Sequence, residues 1–285
     1  MPLIDGQKIS KEILRDLKEK VAQLHTKHIH PKLAVILAGK DPASLSYISR
    51  KQKACTYTGI EWEQFDYGTD ITTEELIEKI AELNEDEQIH GILVQLPLPE
   101  QVYVPDVIRA IYPKKDVDGF TAYNLGKMFI STEFEHLASC TPLGVIRMLE
   151  YHDVKIEGAE VVVVGHSNIV GKPLSMMLLN RNATVTTCHV HTKDLAAHTS
   201  RADILCVGVG KPNLITADMV KKGAVVIDIG INRLDDGKLV GDTDFDAVKE
   251  KAKLITPVPG GVGPMTVACL MENTVKAAKR LNGIN

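Results

Sequence analysis

Lys51 is the first residue whose setting suggests chemistry. It lies in Tyr47-Ile48-Ser49-Arg50-Lys51, inside a stretch from about Ser44 to Thr58 that reads as a helix stopped by Gly59. Tyr47 and Lys51 are four residues apart and so share one face, with Cys55 next along the stripe. A lysine there has two readings. Its stem runs along apolar surface with the ammonium in water, or it is partly desolvated, which lowers its pKa and lets it exchange protons near neutrality. Gln95 stands at the end of the apolar run Gly91-Ile92-Leu93-Val94-Gln95-Leu96, where ligands bind in open α/β sheets. A buried amide there needs a partner, either a ligand or loop backbone. Asp118 precedes Gly119 in Asp116-Val117-Asp118-Gly119-Phe120, a pairing that by itself marks a turn.

A second group of residues suggests anion binding. Gly165-His166-Ser167-Asn168-Ile169-Val170-Gly171-Lys172-Pro173 follows an apolar run and opens a helical stretch. Glycine permits a tight turn and close approach of a pyrophosphate, and the helix start offers free N–H groups to it. The GxGxxG spacing is absent, so a dinucleotide site and a plain strand-to-helix turn both fit. The next strand ends in Cys188-His189-Val190-His191-Thr192-Lys193, with no carboxylate to meet a ribose hydroxyl. His189, His191 and Lys193 suit a 2′-phosphate there, or are exposed polar residues. Finally, Pro257-Val258-Pro259-Gly260-Gly261-Val262-Gly263-Pro264-Met265-Thr266 joins a strand to a helix. So many special residues suggest a pre-shaped loop whose backbone meets a ligand.

The elements that must position these groups alternate. Ile13, Leu17, Val21 and Leu24 have helical spacing, with Ser10 as the expected N-cap. Strands are expected at 33–38, 62–67 and 91–96, a capping box at Thr72 and Glu75, and a short helix at 105–111. The segment 126–139 lacks periodicity and marks the expected domain change. Beyond it, apolar strands at 161–164, 185–188, 204–209, 225–229 and 254–256 alternate with helical stretches. Uninterrupted Val/Ile runs suit a parallel sheet covered on both faces. The reading is an α/β protein of two domains, residues 1–140 with 266–285, and a Rossmann-like, doubly wound domain at 141–265.

The 285 residues suffice for two domains. A net charge of −4, with both signs scattered, gives no nucleic-acid surface. Five widely spaced cysteines without a CxxC pair indicate neither a disulfide frame nor a metal site, but buried thiols. The first residues lack the pattern of a signal peptide, and no apolar run approaches the ~20 residues that span a bilayer. A cytoplasmic protein is expected.

Taken in order, the YxxxK pattern at 47–51, Val-Gln-Leu-Pro-Leu-Pro at 94–99, Lys115-Asp116-Val117-Asp118-Gly119-Phe120, Cys140-Thr141-Pro142, GxSxxxGxP at 165–173 and PGGVGPMT at 259–266 span nearly the whole chain. In this combination the chain resembles the bifunctional methylenetetrahydrofolate dehydrogenase/cyclohydrolase family. The resemblance implies a folate domain and a cofactor domain with the folate between them. It implies oxidation of 5,10-methylenetetrahydrofolate with NADP, then hydrolysis of the methenyl cation to 10-formyltetrahydrofolate at the same site. It further implies that Lys51 is the general acid/base, tuned by Gln95, that Tyr47 flanks the pterin, and that Asp118 accepts from the pterin's amino edge. Pro259, Gly260 and Gly261 would touch substrate. Gly165, His166, Ser167, Ile169, Gly171, His191 and Ile231 would line the cofactor. A homodimer and a role in one-carbon supply to purine biosynthesis are also implied.

Two departures bear on this. His166 stands where family members that grip a 2′-phosphate often carry Arg, and Val190 or His191 where Ser or Arg often helps, which keeps NAD open as the cofactor. Thr121-Ala122 replaces a common His-Pro. Rival readings are a monofunctional dehydrogenase of the same family, a shikimate-dehydrogenase-like oxidoreductase, and a non-catalytic folate- or nucleotide-binding relative. An intact Lys51/Gln95/Asp118 set argues against loss of the hydrolytic step.

Overall fold

The structure, a computed structural model, describes residues 3–39 and 41–284. In chain order the first elements are α1 (Gly6–His25), β1 (Lys32–Ala38), α2 (Pro42–Thr58), β2 (Glu61–Tyr67), α3 (Thr73–Glu85), β3 (Gly91–Val94), α4 (Val104–Ala110), α5 (Ala122–Ile130) and α6 (Cys140–Tyr151). There follow β4 (Glu160–Val164), α7 (Gly171–Leu179), β5 (Thr184–Cys188), α8 (Leu195–Thr199), β6 (Ile204–Val207), β7 (Val225–Asp228), the small hairpin β8 (Asn232–Arg233) and β9 (Leu239–Val240), α9 (Phe245–Lys249), β10 (Leu254–Ile255) and α10 (Val262–Leu281).

The chain divides into two compact units. One holds the segment up to Ser10, Met128–Thr132 and Thr141–Thr266; the other holds Lys11–Lys127, Glu133–Cys140 and the segment from Val267. The second contains a three-stranded parallel sheet of order β2-β1-β3. Its central strand β1 is buried almost throughout, and Ile36, Ile80, Ile89 and Ile92 form part of the core on one face. The first contains a five-stranded, all-parallel sheet of order β10-β7-β6-β4-β5. The chain winds outward from β4 in both directions, so the strand order reverses between β4 and β6, where open α/β sheets leave a crevice at their carboxyl ends.

Local chemistry sets the ends of α2 and α3. Asp41 accepts the Ser44 N–H at 2.8 Å before α2, and Gly59, at φ +81°, closes that helix through a bond to Cys55 O. The capping box of Thr72 and Glu75 opens α3 as expected.

Some boundaries differ from expectation. Helix α1 begins at Gly6, five residues early, because Asp5 Oδ1 accepts the Lys8 N–H at 2.9 Å and caps it; Ser10 lies inside the helix and bonds back to Gln7 O. Helix α10 begins at Val262, not Thr266. Pro264 is in its first turn, where its missing N–H costs nothing. The segment without clear periodicity holds α5 and a short 3-10 turn at Thr132–Phe134. Strand β3 ends at Val94, which leaves Gln95 in the loop beyond it. All five cysteines are free and buried, and no helix among the described residues is long and apolar enough to cross a membrane.

Candidate active site

Helix α2 brings Tyr47, Lys51 and Cys55 onto one face, and that face is covered. Lys51 is 4% exposed, so it is desolvated and does not snorkel. Its Nζ donates to Gln95 Oε1 at 2.9 Å and lies 4.8 Å from the centre of the Tyr47 ring. Gln95 cannot turn its amide freely. Its Nε2 donates to Leu96 O at 2.6 Å, and its backbone N–H is bonded to Ile36 O, so Oε1 is the atom offered to Lys51.

Asp118 enters the same cluster from the loop between α4 and α5. Burial pushes the Lys51 ammonium toward neutrality, and Asp118, the most effective of the nearby anionic groups, opposes that. Burial likewise pushes the Asp118 carboxyl up, and Lys51 opposes it. Each thus favours the charged form of the other against the effect of burial. The neighbouring thiols do not take part. Burial holds Cys55 protonated, its pKa pushed up to about 12, and pushes Cys140 well above the usual thiol range. Since the thiolate is the nucleophile, these cysteines are inert.

The Asp118 loop is itself pinned by residues that the sequence pattern did not single out. Asp116 Oδ1 accepts the N–H groups of Gly119 and Phe120, and its Oδ2 accepts the N–H and hydroxyl of Thr121 and the amide of Asn124. Thr121, at the position of a departure from the family pattern, therefore secures the carboxylate that shapes the loop. From α10, Asn273 donates to Val117 O and Ala138 O, both at 2.9 Å. Cys140 hydrogen-bonds Asp118 and reaches Val117 O at 3.2 Å. An aspartate ahead of a turn, and an asparagine on the helical stripe of Cys269, Leu270 and Ala277, are the available signals.

The second group lies in the unit with the five-stranded sheet. Gly165 follows β4 at φ +122°, and a Cβ on it would overlap Gly208 O at the end of β6. A Cβ on Gly171 would overlap Gly165 O. The loop is therefore drawn tight across the point where strand order reverses. Ser167 Oγ accepts the N–H groups of Val170 and Gly171 at 3.2 and 3.4 Å and so fixes the turn that leads into α7. Ile169 and Ile231 are exposed, the latter by 57%. The rings of His166 and His189 stand 4.9 Å apart, and His191 follows at 6.0 Å from His189. These residues gather at the carboxyl ends of β4, β5 and β7, and the first carboxylate after β5 is Asp194, which caps α8 through the Ala197 N–H.

Pro259, Gly260 and Gly261 fall in this unit too, not in the one that holds Lys51. Gly260 O accepts the Gln7 N–H at 3.0 Å, and Gly6 lies so close to Gly261 O that a Cβ would overlap it. Close packing of the start of α1 is thus one reason for the glycines. We expect Gly165→Ala to lose dinucleotide binding by at least about tenfold, because φ is unfavourable and the new methyl meets backbone. Titration with the dinucleotide, beside a melting curve, measures it.

A tight glycine turn at the switch point of a parallel sheet, in a chain with a separate buried Lys/Gln/Asp cluster, defines a two-domain α/β enzyme of the dinucleotide-binding class. The comparisons narrow this. The catalytic-domain profile of tetrahydrofolate dehydrogenase/cyclohydrolase matches residues 4–118, and its NAD(P)-binding-domain profile matches residues 139–282. The chain belongs to the tetrahydrofolate dehydrogenase/cyclohydrolase family. It is 55% identical over 279 residues to the bifunctional protein FolD of Nautilia profundicola, covering 98% of each chain. Among solved structures it is similar to the bifunctional FolD of Campylobacter jejuni, with TM-score 0.96, 48% identity and 98% of each chain covered. It is similar also to the Trypanosoma brucei enzyme complexed with NADP and an inhibitor, with TM-score 0.94, 37% identity and 98% and 97% covered.

Proposed function

We propose that this chain oxidises 5,10-methylenetetrahydrofolate and hydrolyses the methenyl product to 10-formyltetrahydrofolate, with Lys51 as the proton carrier. The observation that carries the assignment is the buried Nζ of Lys51, bonded to Gln95 Oε1 at 2.9 Å and facing Asp118.

In hydrolysis, neutral Lys51 takes a proton from the water that adds to the methenyl carbon. The resulting ammonium gives it to N5 as the carbon–N5 bond breaks, and the carbon's hydroxyl proton leaves to solvent as the formyl group forms. Gln95 fixes where Nζ points in both charge states. Tyr47, its ring beside Nζ, flanks the pterin, and Asp118 accepts from the pterin's amino edge, a charge-assisted contact. Its position next to Lys51 gives Asp118 a second effect: it holds the lysine's pKa up against burial.

The tight turn of Gly165 and Gly171, with Ser167, Ile169 and Ile231, fits a dinucleotide whose pyrophosphate needs close backbone approach. A dinucleotide held there would supply a hydride acceptor for the methylene carbon. His166, His189, His191 and Lys193, with the nearest carboxylate in that stretch, Asp194, engaged in capping α8, favour the 2′-phosphorylated form, NADP. Pro259, Gly260 and Gly261 are assigned to substrate contact through backbone. A cytoplasmic location accords with five buried free thiols, and a closed homodimer with the commonest soluble symmetry.

The test mixes the protein with 5,10-methylenetetrahydrofolate and either NADP or NAD, and follows reduced nicotinamide, methenyl intermediate and 10-formyl product together. Faster turnover with NADP, ending in 10-formyl product, is expected. Reduction that stops at accumulating methenyl cation contradicts the hydrolytic role of Lys51.

A further inference from the structure

Two carboxylates outside the mechanism are buried in the cofactor unit: Asp228, the last residue of β7, at 2% exposure, and Asp242, after β9, at 0%. Burying a carboxylate is costly unless donors surround it, and donors surround both. Asp242 Oδ2 accepts the N–H groups of Val209 and Gly210 at 2.6 and 3.0 Å. Its Oδ1 accepts the Lys211 N–H at 2.9 Å and the Asn232 amide at 2.8 Å. Asp228 Oδ1 accepts the N–H groups of Gly230 and of Asp242 itself, both at 3.0 Å. Its Oδ2 accepts the N–H and hydroxyl of Thr243 at 2.8 and 2.7 Å.

The arrangement is a relay. Asp228 fixes the backbone at Asp242, and Asp242 fixes the loop after β6. Between them they also hold both neighbours of Ile231, through the Gly230 N–H and the Asn232 amide. A Cβ on Gly230 would overlap the Asp242 carboxylate, and one on Gly241 would overlap that of Asp228, so the loops close tightly over both groups. The apolar side chains left outside are Val209, 41% exposed, and Ile231. They stand at the carboxyl ends of β6 and β7, the rim at which open α/β sheets bind ligands.

We infer that Asp228 and Asp242 are positioning residues for the dinucleotide, holding the Val209 and Ile231 loops in the shape the cofactor meets. The inference rests on the cofactor reading given above. Every oxygen of the pair receives two donors, so only a carboxylate satisfies the set. An amide has one acceptor atom and turns its NH2 against backbone N–H groups.

Asp242→Asn tests this, with Thr243→Val as a milder variant that removes one hydroxyl donor to Asp228 at near-constant volume. Hydrolysis of the methenyl substrate, assayed without dinucleotide, supplies the internal control. For Asp242→Asn we expect the NADPH dissociation constant, read by titration, and the KM for NADP to rise about tenfold or more, the scale of a lost hydrogen bond to a charged group. Thr243→Val should move both the same way by less. Hydrolysis by both variants should stay within about twofold of the parent. Unchanged NADPH affinity in both folded variants overturns the inference. So does a parallel fall of hydrolysis and dinucleotide affinity with melting temperature, which marks a merely structural role. If the parent turned over neither reaction, the functional reading would fail, while the NADPH titration would still decide the role of the pair.

Discussion

Lys51→Met should slow hydrolysis of the methenyl substrate by about a hundred- to ten-thousand-fold, the range that a positioned general acid/base contributes, while folate still binds. Methionine suits the space, because it is unbranched, apolar and close in length to the lysine stem. The substitution also removes a charge that the site desolvates, so little stability is lost with it. Its cost to the fold is the Gln95 oxygen, left without its donor at 2.9 Å, on the order of 1–3 kcal/mol. The methenyl cation's absorbance, followed as it disappears, measures the rate, and folate titration measures binding. Equal hydrolysis by the parent and Lys51→Met would remove the lysine from the mechanism. Loss of folate binding would mean that Lys51 holds substrate instead.

Asp118→Asn has two separable consequences. The first is on binding. An ionised carboxylate that accepts from an amino edge is worth more than a neutral acceptor, so the KM for folate should rise about ten- to a hundredfold. The second is on pH. Burial lowers the Lys51 pKa, and Asp118 is the largest influence raising it. Without that charge the pKa falls further. Hydrolysis uses neutral lysine, so its rate rises with pH through the Lys51 pKa, and in Asp118→Asn that rise should occur at lower pH. A raised KM with an unmoved pH limb would confine Asp118 to binding.

The sequence made one half of each site legible. The spacing of Tyr47, Lys51 and Cys55 places them on one face because a helix repeats every 3.6 residues, and the glycines at 165 and 171 announce a tight turn. Periodicity names a face but not what covers it. The groups around Lys51 are Gln95 just after β3, Asp118 from the loop between α4 and α5, and Cys140 at the start of α6, and only the fold joins them. The resemblance to a known family joins Lys51 with Gln95 and Asp118 without geometry, but not with Cys140. Supporting residues stayed invisible for a related reason. Asn273, Asp228 and Asp242 serve backbone groups remote in sequence, Asp116 those of its own loop, and a buried aspartate looks like any other until its donors are in place. Boundaries failed where a cap was weakly marked. Asp5, not Ser10, caps α1, and glycine and proline mask the first turn of α10.

The most direct test of the account is the pH dependence of methenyl hydrolysis, measured as kcat/KM in the parent and in Lys51→Met. The account predicts that the parent's rate climbs with pH through the ionisation of one group, and that Lys51→Met lacks this climb at every pH where it remains folded. The same climb in both proteins would mean that a group other than Lys51 moves the proton.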